Sequence, residues 1–314
     1  MVHRSAAVLV FVCIAVAPSN AFAEGKPPSP PSPYSLPFQL RPVTASTAVR
    51  SDTSFASYEN AKAQGGFAVV SELLGAFRIP GTGEAPGTGL APLAKLTVVG
   101  DSPPANGTGG SAFVNPLLGA AYALKLDSGF RASAFLGFTI PVGMGGGDTP
   151  DPGALDARNV GVPVRAGLDN SLFAVNDFAV IPGIDAAFVS SGFTAQLEVT
   201  LFQLNRVRGE KADPDSSKTN LTGGLHLGYF VADFLSLGGE LRYQRWLAAP
   251  AAVNSNKPGT SQDLLSMAVG PRFHFKLGPG VWIRPGVAYV RGFDAPMTRP
   301  LNDNIIQLDI PVVF

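Results

Sequence analysis

The chain of 314 residues has one cysteine and three histidines, and both shortages are informative. A single cysteine cannot build an intrachain disulfide. Cys13 also lies in a leader-like N-terminal segment, so neither disulfides nor thiol chemistry is expected of the mature protein. With His3 in the same segment, His226 and His274 are left for acid–base or metal work, and no ligand spacing surrounds them. Surplus charge is missing too. The 23 Lys and Arg balance the 23 Asp and Glu, which removes the footprint of a nucleic-acid partner. Charged residues are only 15% of the chain, yet no later stretch approaches the ~18 continuous apolar residues of a membrane-crossing helix. The Gly-rich stretch after Gly143 is irregular and lacks a following Gly-Lys-Ser/Thr, so it is no phosphate loop, and no cofactor is expected.

What the chain has in quantity is glycine (36) and proline (28), a composition suited to many short strands and turns. His3 and Arg4 precede an apolar run over 6–17, and Ala21-Phe22-Ala23 forms a small-residue cleavage site. Residues 1–23 therefore read as a signal peptide; Val12 before Cys13 argues against a lipoprotein. Residues 24–47 read as a Pro-rich periplasmic tether and lead-in that opens with the extended EGKPPSPPSP. Within it, the more apolar 34–42 lies either against the mouth of the following domain or inside it.

From residue 48 onward, twelve segments alternate in polarity: 48–58, 67–79, 90–99, 115–126, 130–142, 178–189, 193–204, 221–230, 235–247, 264–277, 281–291 and 302–314. Each is close to the roughly 9–11 residues with which a tilted strand crosses a bilayer. Soluble sandwiches also alternate, but three features point to a membrane barrel over 48–314. Long polar links tend to alternate with short turns, as extracellular loops and periplasmic turns do; the link after the second segment is longer than that rule predicts. On the apolar face, Phe130, Phe188, Phe193, Tyr229, Phe273, Phe275 and Phe314 gather at one end and Tyr243 and Tyr289 at the other, like two interfacial girdles. The opposite face carries Gly and Ala with Lys95, Lys125, Arg131, Asp185, Glu198, Glu240, Arg242, Arg272, Lys276, Arg284 and Asp309, as a polar lumen would. The expected fold is all-β: an antiparallel up-and-down transmembrane barrel of about twelve strands.

The closing segment NDNIIQLDIPVVF puts Ile306, Leu308, Ile310, Val312 and Phe314 on one side of a strand. It resembles the last strand of bacterial outer-membrane barrels, and the resemblance implies that Phe314 is the insertion signal read by the barrel-assembly machinery. Outer-membrane lipid and lipopolysaccharide would surround such a barrel in a Gram-negative cell. Arg245 and Arg291 lie on the lipid face beyond their girdle tyrosines, placed either to meet lipopolysaccharide phosphates or simply to be solvated.

The insert 143–177 is far longer than any other link. Val164, Leu168, Leu172 and Val175 fall at near-helical spacing, so one or two helical turns are expected, folded into or over the mouth as a constriction or lying on the surface. The lumen candidates are Glu198, His226, Glu240, Arg242, Arg272, His274, Lys276, Arg284 and Asp309. They form either a selectivity element or a salt-bridge network that fills the barrel. An outer-membrane phospholipase would need its catalytic histidine on the lipid-facing wall. His226 and His274 fall on the lumen face, so no enzyme is expected and no catalytic residue is assigned.

NPLLGAAYAL at 115–124 and AFLGFTIPVG at 134–143, with GVWIRPGVAYVRGF and IIQLDIPVVF at the end, resemble strand pairs of a channel-like family. That family of outer-membrane transporters is associated with the meta-cleavage pathway of phenol degradation. The resemblance implies passage of small hydrophobic or aromatic solutes through a passive or gated channel. The competing expectation is a non-conducting structural or adhesive barrel that displays its loops.

Overall fold

The structure, a computed structural model, describes residues 33–59, 63–104, 107, 109–167, 169–298 and 302–314. Residues 1–23 of the expected signal peptide, residues 24–32 of the expected tether and Leu168 lie outside the described residues.

Twelve long strands follow one another: β1 (Ala48–Glu59), β2 (Gly65–Ala76), β3 (Gly89–Ser102), β4 (Leu117–Lys125), β5 (Phe130–Thr139), β6 (Asp177–Ser190), β7 (Phe193–Arg206), β8 (Ser217–Ala232), β9 (Leu235–Ala248), β10 (Asp263–Phe273), β11 (Gly286–Gly292) and β12 (Asn304–Val313). Each pairs antiparallel with the next. β12 returns to β1 in a register running from Ala48↔Val313 to Ser57↔Asn304, which closes the barrel and leaves no edge. Phe314 ends the chain by donating its N–H to the Thr47 carbonyl at 2.9 Å.

Period two sorts the side chains. Ile184, Leu197 and Leu136, with more than half of their surface exposed, stand on the outer face with the other large apolar residues. Their inward neighbours Asp185, Gln196, Glu198 and Phe135 are buried. The strand boundaries depart from the alternation where polarity stops reporting it. β8 begins at Ser217, earlier than expected, because its first inward residues, Lys218 and Asn220, are polar. β3 runs on to Ser102 because a short strand, Gly110–Phe113, folds back onto Val98–Asp101. Phe275–Gly278 and Val281–Ile283 carry β10 and β11 to the turn after a break at Pro285, which has no N–H to give. The Pro285 carbonyl instead accepts the Phe273 N–H, and the Arg284 N–H reaches Pro311 O at 2.9 Å.

One end of the barrel has tight turns, such as Ser191-Gly192, both at positive φ as a two-residue hairpin loop requires. The longer link 77–88 at this end is laced by Arg78, whose guanidinium donates to the carbonyls of Thr88 (2.6 Å) and Gly83 (2.8 Å). The other end carries the long links.

The insert holds more helix than its spacing suggests. α1 (Pro152–Val164) starts where Asp151 accepts the Ala154 N–H at 2.8 Å and proline occupies the first turn. It ends just after Pro163, and a single turn, α2 (Asn170–Phe173), follows. The expected one or two turns thus become a longer first helix placed earlier in the insert. Its early residues alternate Gly, Ala and polar groups too irregularly to show an apolar stripe.

Candidate functional site: the lumen and its mouth

The wall of the lumen is polar, and its two halves are occupied by different parts of the same chain. In the half nearer the short turns lie residues 34–45, within the lumen and not against its rim. Tyr34, Leu36, Phe38, Leu40 and Val43 are all buried. Glu240 accepts the main-chain N–H of Phe38 and of Gln39 (2.9 Å), and Glu198 accepts that of Arg41 at 2.6 Å. Wall donors take the carbonyls: Arg272 binds Leu36 O (3.2 Å) and Pro37 O (3.1 Å), Gln307 binds Phe38 O (3.1 Å) and Gln196 binds Arg41 O (2.6 Å). A segment with no helix or ladder of its own therefore has many of its backbone groups satisfied by wall side chains. Space for it comes from small wall residues. A Cβ on Gly286 would stand 2.7 Å from the Phe38 ring, and Leu40 packs over Gly224.

Charges join this segment to the wall. The Arg41 guanidinium lies 3.1 Å from Asp185 and 3.6 Å from Glu198. Asp309 is pinned between Arg50 (2.6 Å) and Arg272 (2.5 Å), and Arg272 also stacks over Phe38 at 4.6 Å. Arg242 approaches Glu198 at 3.6 Å. His226 is fully buried, with Nδ1 3.2 Å from Glu240 and Nε2 3.1 Å from the Ser35 carbonyl. His274 contacts the Ser236 hydroxyl at 2.9 Å. The nine lumen candidates thus divide. Glu198, His226, Glu240, Arg242, Arg272, His274 and Asp309 are buried, Arg284 is half-buried, and Lys276 is exposed near the turn.

The half nearer the long loops is filled by the insert. Val164, Leu172 and Val175 are buried with Ala154, Ala157 and Phe173 against Val70, Val99 and Val114 of the wall side. At its centre Arg165, 3% exposed, meets Asp52 (3.2 Å), Glu72 (3.0 Å) and Asp169 (3.2 Å). Lys95 closes the cluster on Glu72 (3.1 Å) and Asp169 (3.0 Å). Burial alone would raise the Asp169 carboxyl, but Lys95 and Arg165 outweigh it and hold it below the usual carboxylate range. Asn115 fastens the two ends of the insert together. Its Oδ1 accepts the Gly143 N–H (3.0 Å), and its Nδ2 donates to Ala174 O (3.0 Å) and Asp177 O (3.3 Å).

Several of these residues carry a signal in the sequence. Asp52 and Glu72 fall at inward positions of β1 and β2, so parity alone places them in the lumen. Arg165 and Asp169 are four residues apart, a common ion-pair spacing. For residues 34–45 no signal of that kind exists.

Between the insert and the walls of β7–β10, a cavity of about 730 Å³ opens toward the long loops. Its lining is mainly apolar, with Leu155, Val162, Phe173, Trp246, Leu264 and Met297. Gln244 at its base bonds Asn170 (2.8 Å) and the Gly167 carbonyl.

No family model matches the chain, and no curated protein does. Among solved structures, an outer membrane channel from Pseudomonas putida F1 superposes with a TM-score of 0.53 at 12% identity, over 88% of this chain and 98% of that one. The NanC porin gives a TM-score of 0.47 at 10% identity, covering 84% of this chain and 98% of its own. The translocator domain of the autotransporter NalP from Neisseria meningitidis gives 0.45 at 11% identity, covering 86% and 88%. The fold that this chain shares with the Pseudomonas channel is the closed twelve-strand antiparallel barrel of outer-membrane channels.

Proposed function

We propose that this protein is a gated channel of the Gram-negative outer membrane for small solutes, hydrophobic or aromatic ones foremost. In the state described here it is shut by two segments of its own chain. One observation carries the reading: wall carboxylates Glu198 and Glu240 hold residues 38–41 by main-chain hydrogen bonds. Water or a solute can replace those main-chain bonds one for one when the segment leaves, while the buried Tyr34, Leu36, Phe38, Leu40 and Val43 give it an apolar hold that departure must overcome. The apolar cavity at the long-loop mouth, and the resemblance to channels associated with phenol degradation, support the solute class.

The test is single-channel conductance of refolded protein in a planar bilayer. Four forms are compared: the mature chain, a chain lacking 34–45, a chain lacking 144–176, and one lacking both. Asn115 holds Gly143 and Asp177 close together, so the second deletion joins neighbours. A gated channel predicts rare openings in the mature chain, more in each single deletion and steady conductance in the double one. Silence from all four, with folding shown by heat-modifiable gel migration, would sink the channel and favour a structural barrel.

Export by residues 1–23, residence in lipid and lipopolysaccharide, and recognition of Phe314 by the assembly machinery belong to the same proposal. Phe314 is 60% exposed on the lipid face, where such a signal must stand. Deleting it should lower the amount of folded barrel in the membrane. Arg245 is paired with Asp263 at 3.1 Å, and Arg291 binds Asn302 (2.8 Å) and the Asp303 carbonyl (2.5 Å), so lipopolysaccharide phosphates would compete for both. Charge reversal at both sites with unchanged lipopolysaccharide retention would remove that role.

A further inference from the structure

We infer that the cavity at the long-loop mouth is a binding site for a neutral, mostly apolar small molecule bearing one hydrogen-bond acceptor. Its use as a solute's first stop rests on the channel reading; its capacity to bind does not. At about 730 Å³ it falls in the range of roughly 300–1,000 Å³ typical of small-molecule sites, and its surface is mainly apolar with polar side chains set among it. Phe173 and Trp246 offer aromatic faces, and Val162, Leu264 and Met297 fill the space between.

The acceptor is called for by Asn220. This lining residue is 1% exposed, and its Nδ2 has no hydrogen-bond partner among the described residues. The Thr222 hydroxyl donates to Asn220 Oδ1 at 3.2 Å, which leaves the amide NH₂ as the unpaired end. A buried donor without an acceptor is unfavourable, and a turn of the Asn220 side chain toward the cavity would bring it to a ligand carbonyl or ether oxygen that relieves it. Neutrality follows from the charges around the site. Lys218 is already committed to Asp177 (2.9 Å) and Asp213 (2.7 Å), and Asp215 accepts the Ala251 N–H at 2.9 Å. Arg158 donates to the Gly145 carbonyl (3.0 Å) and to Asn159 (3.1 Å), so a charged ligand would have to break those bonds as well as lose its hydration.

The protein supplies its own reporter. Of its two tryptophans, Trp246 lines the cavity and Trp282 lies in Val281–Ile283, next to a short turn at the other end of the barrel. In a W282F background, 4-bromoacetophenone titrated into the full mature chain in lipid nanodiscs should quench Trp246 saturably. Val162→Phe, which fills the cavity, should abolish the saturable part, and Asn220→Leu should weaken binding by roughly three- to tenfold. Bromobenzene, lacking the acceptor, should bind W282F less tightly than the ketone and be indifferent to Asn220→Leu. Linear quenching that is identical in W282F and V162F, with the barrel intact by gel migration, would overturn the site. Tighter binding of 4-bromobenzoate than of the ketone would overturn the neutral class. Saturable quenching in a barrel that never conducts would leave this site standing and remove the channel. Conductance without saturable quenching would do the reverse.

Discussion

The two halves of the lumen are filled by one chain in unlike ways. Residues 34–45 are held largely through their backbone, by Glu198, Glu240, Arg272, Gln196 and Gln307, with Arg41 paired to Asp185 and Glu198 and the apolar side chains packed over wall glycines. The insert is held through its side chains: a helix, an apolar cluster and a buried arginine shared by three carboxylates. Main-chain bonds to a polar wall accept any extended peptide of similar shape, and water in its absence. A buried charge cluster accepts one geometry and penalises every other. The comparison assigns movement to the first segment and fixed shape to the second.

Four experiments would break or sharpen that assignment. The largest effect is expected from Arg165→Met, which leaves Asp52, Glu72 and Asp169 facing one another with Lys95 alone to offset them. Losing one member of a buried charge cluster typically costs ~3–5 kcal/mol. Hydrogen exchange of the refolded barrel should rise throughout 144–176 and stay unchanged over 34–45; equal loss in both halves would erase the distinction. Glu198→Gln with Glu240→Gln comes next. Exchanging charged for neutral acceptors should weaken the seat of residues 38–41 by about 2–3 kcal/mol in total. Exchange should then rise in that segment alone, with more frequent channel openings.

Asn115→Ala removes three bonds that clasp the ends of the insert, which should loosen residues 143–146 and 174–177 by about 1–2 kcal/mol. Limited proteolysis at those ends reads it, and cleavage within α1 instead would show that the clasp holds the whole insert. The smallest effect is one of pH. Because Asp169 is held below its unfolded value, its contribution is present above about pH 4 and fades as pH falls through the acid range. Protease sensitivity of the insert should rise with acid in the parent and less steeply in Asp169→Asn; parallel profiles would show that other groups carry the dependence.

Much of this was legible in the residues. Outward Ile184, Leu197 and Leu136 against inward Asp185, Glu198 and Phe135 report the membrane and the lumen directly, because neighbouring side chains must face different media. His226, Glu240, Arg242, Arg272 and Asp309 were placed inside by the same parity. Strand ends were less legible where polar residues continue the ladder beyond the lipid, as at Lys218 and Asn220, and the break before Gly286 needed the missing N–H of Pro285 to be weighed.

What fills the lumen was legible only in part: residues 34–42 could be set at the mouth or inside it, and the insert into or over the mouth, without a choice between them. Tyr34, Phe38 and Leu40 have no period to announce their place, and their partners Gln196, Glu240 and Gly224 are more than 150 residues away in the chain. Alternation is a local property, set by the backbone and the two media, so the sequence by itself determined the barrel, an approximate strand number and which side chains point inward. The occupants of the interior, the sharing of Arg165 among three carboxylates and the cavity beside Trp246 depend on closure, which brings β1 to β12 and sets distant wall residues around one axis. Only the tertiary structure decided those.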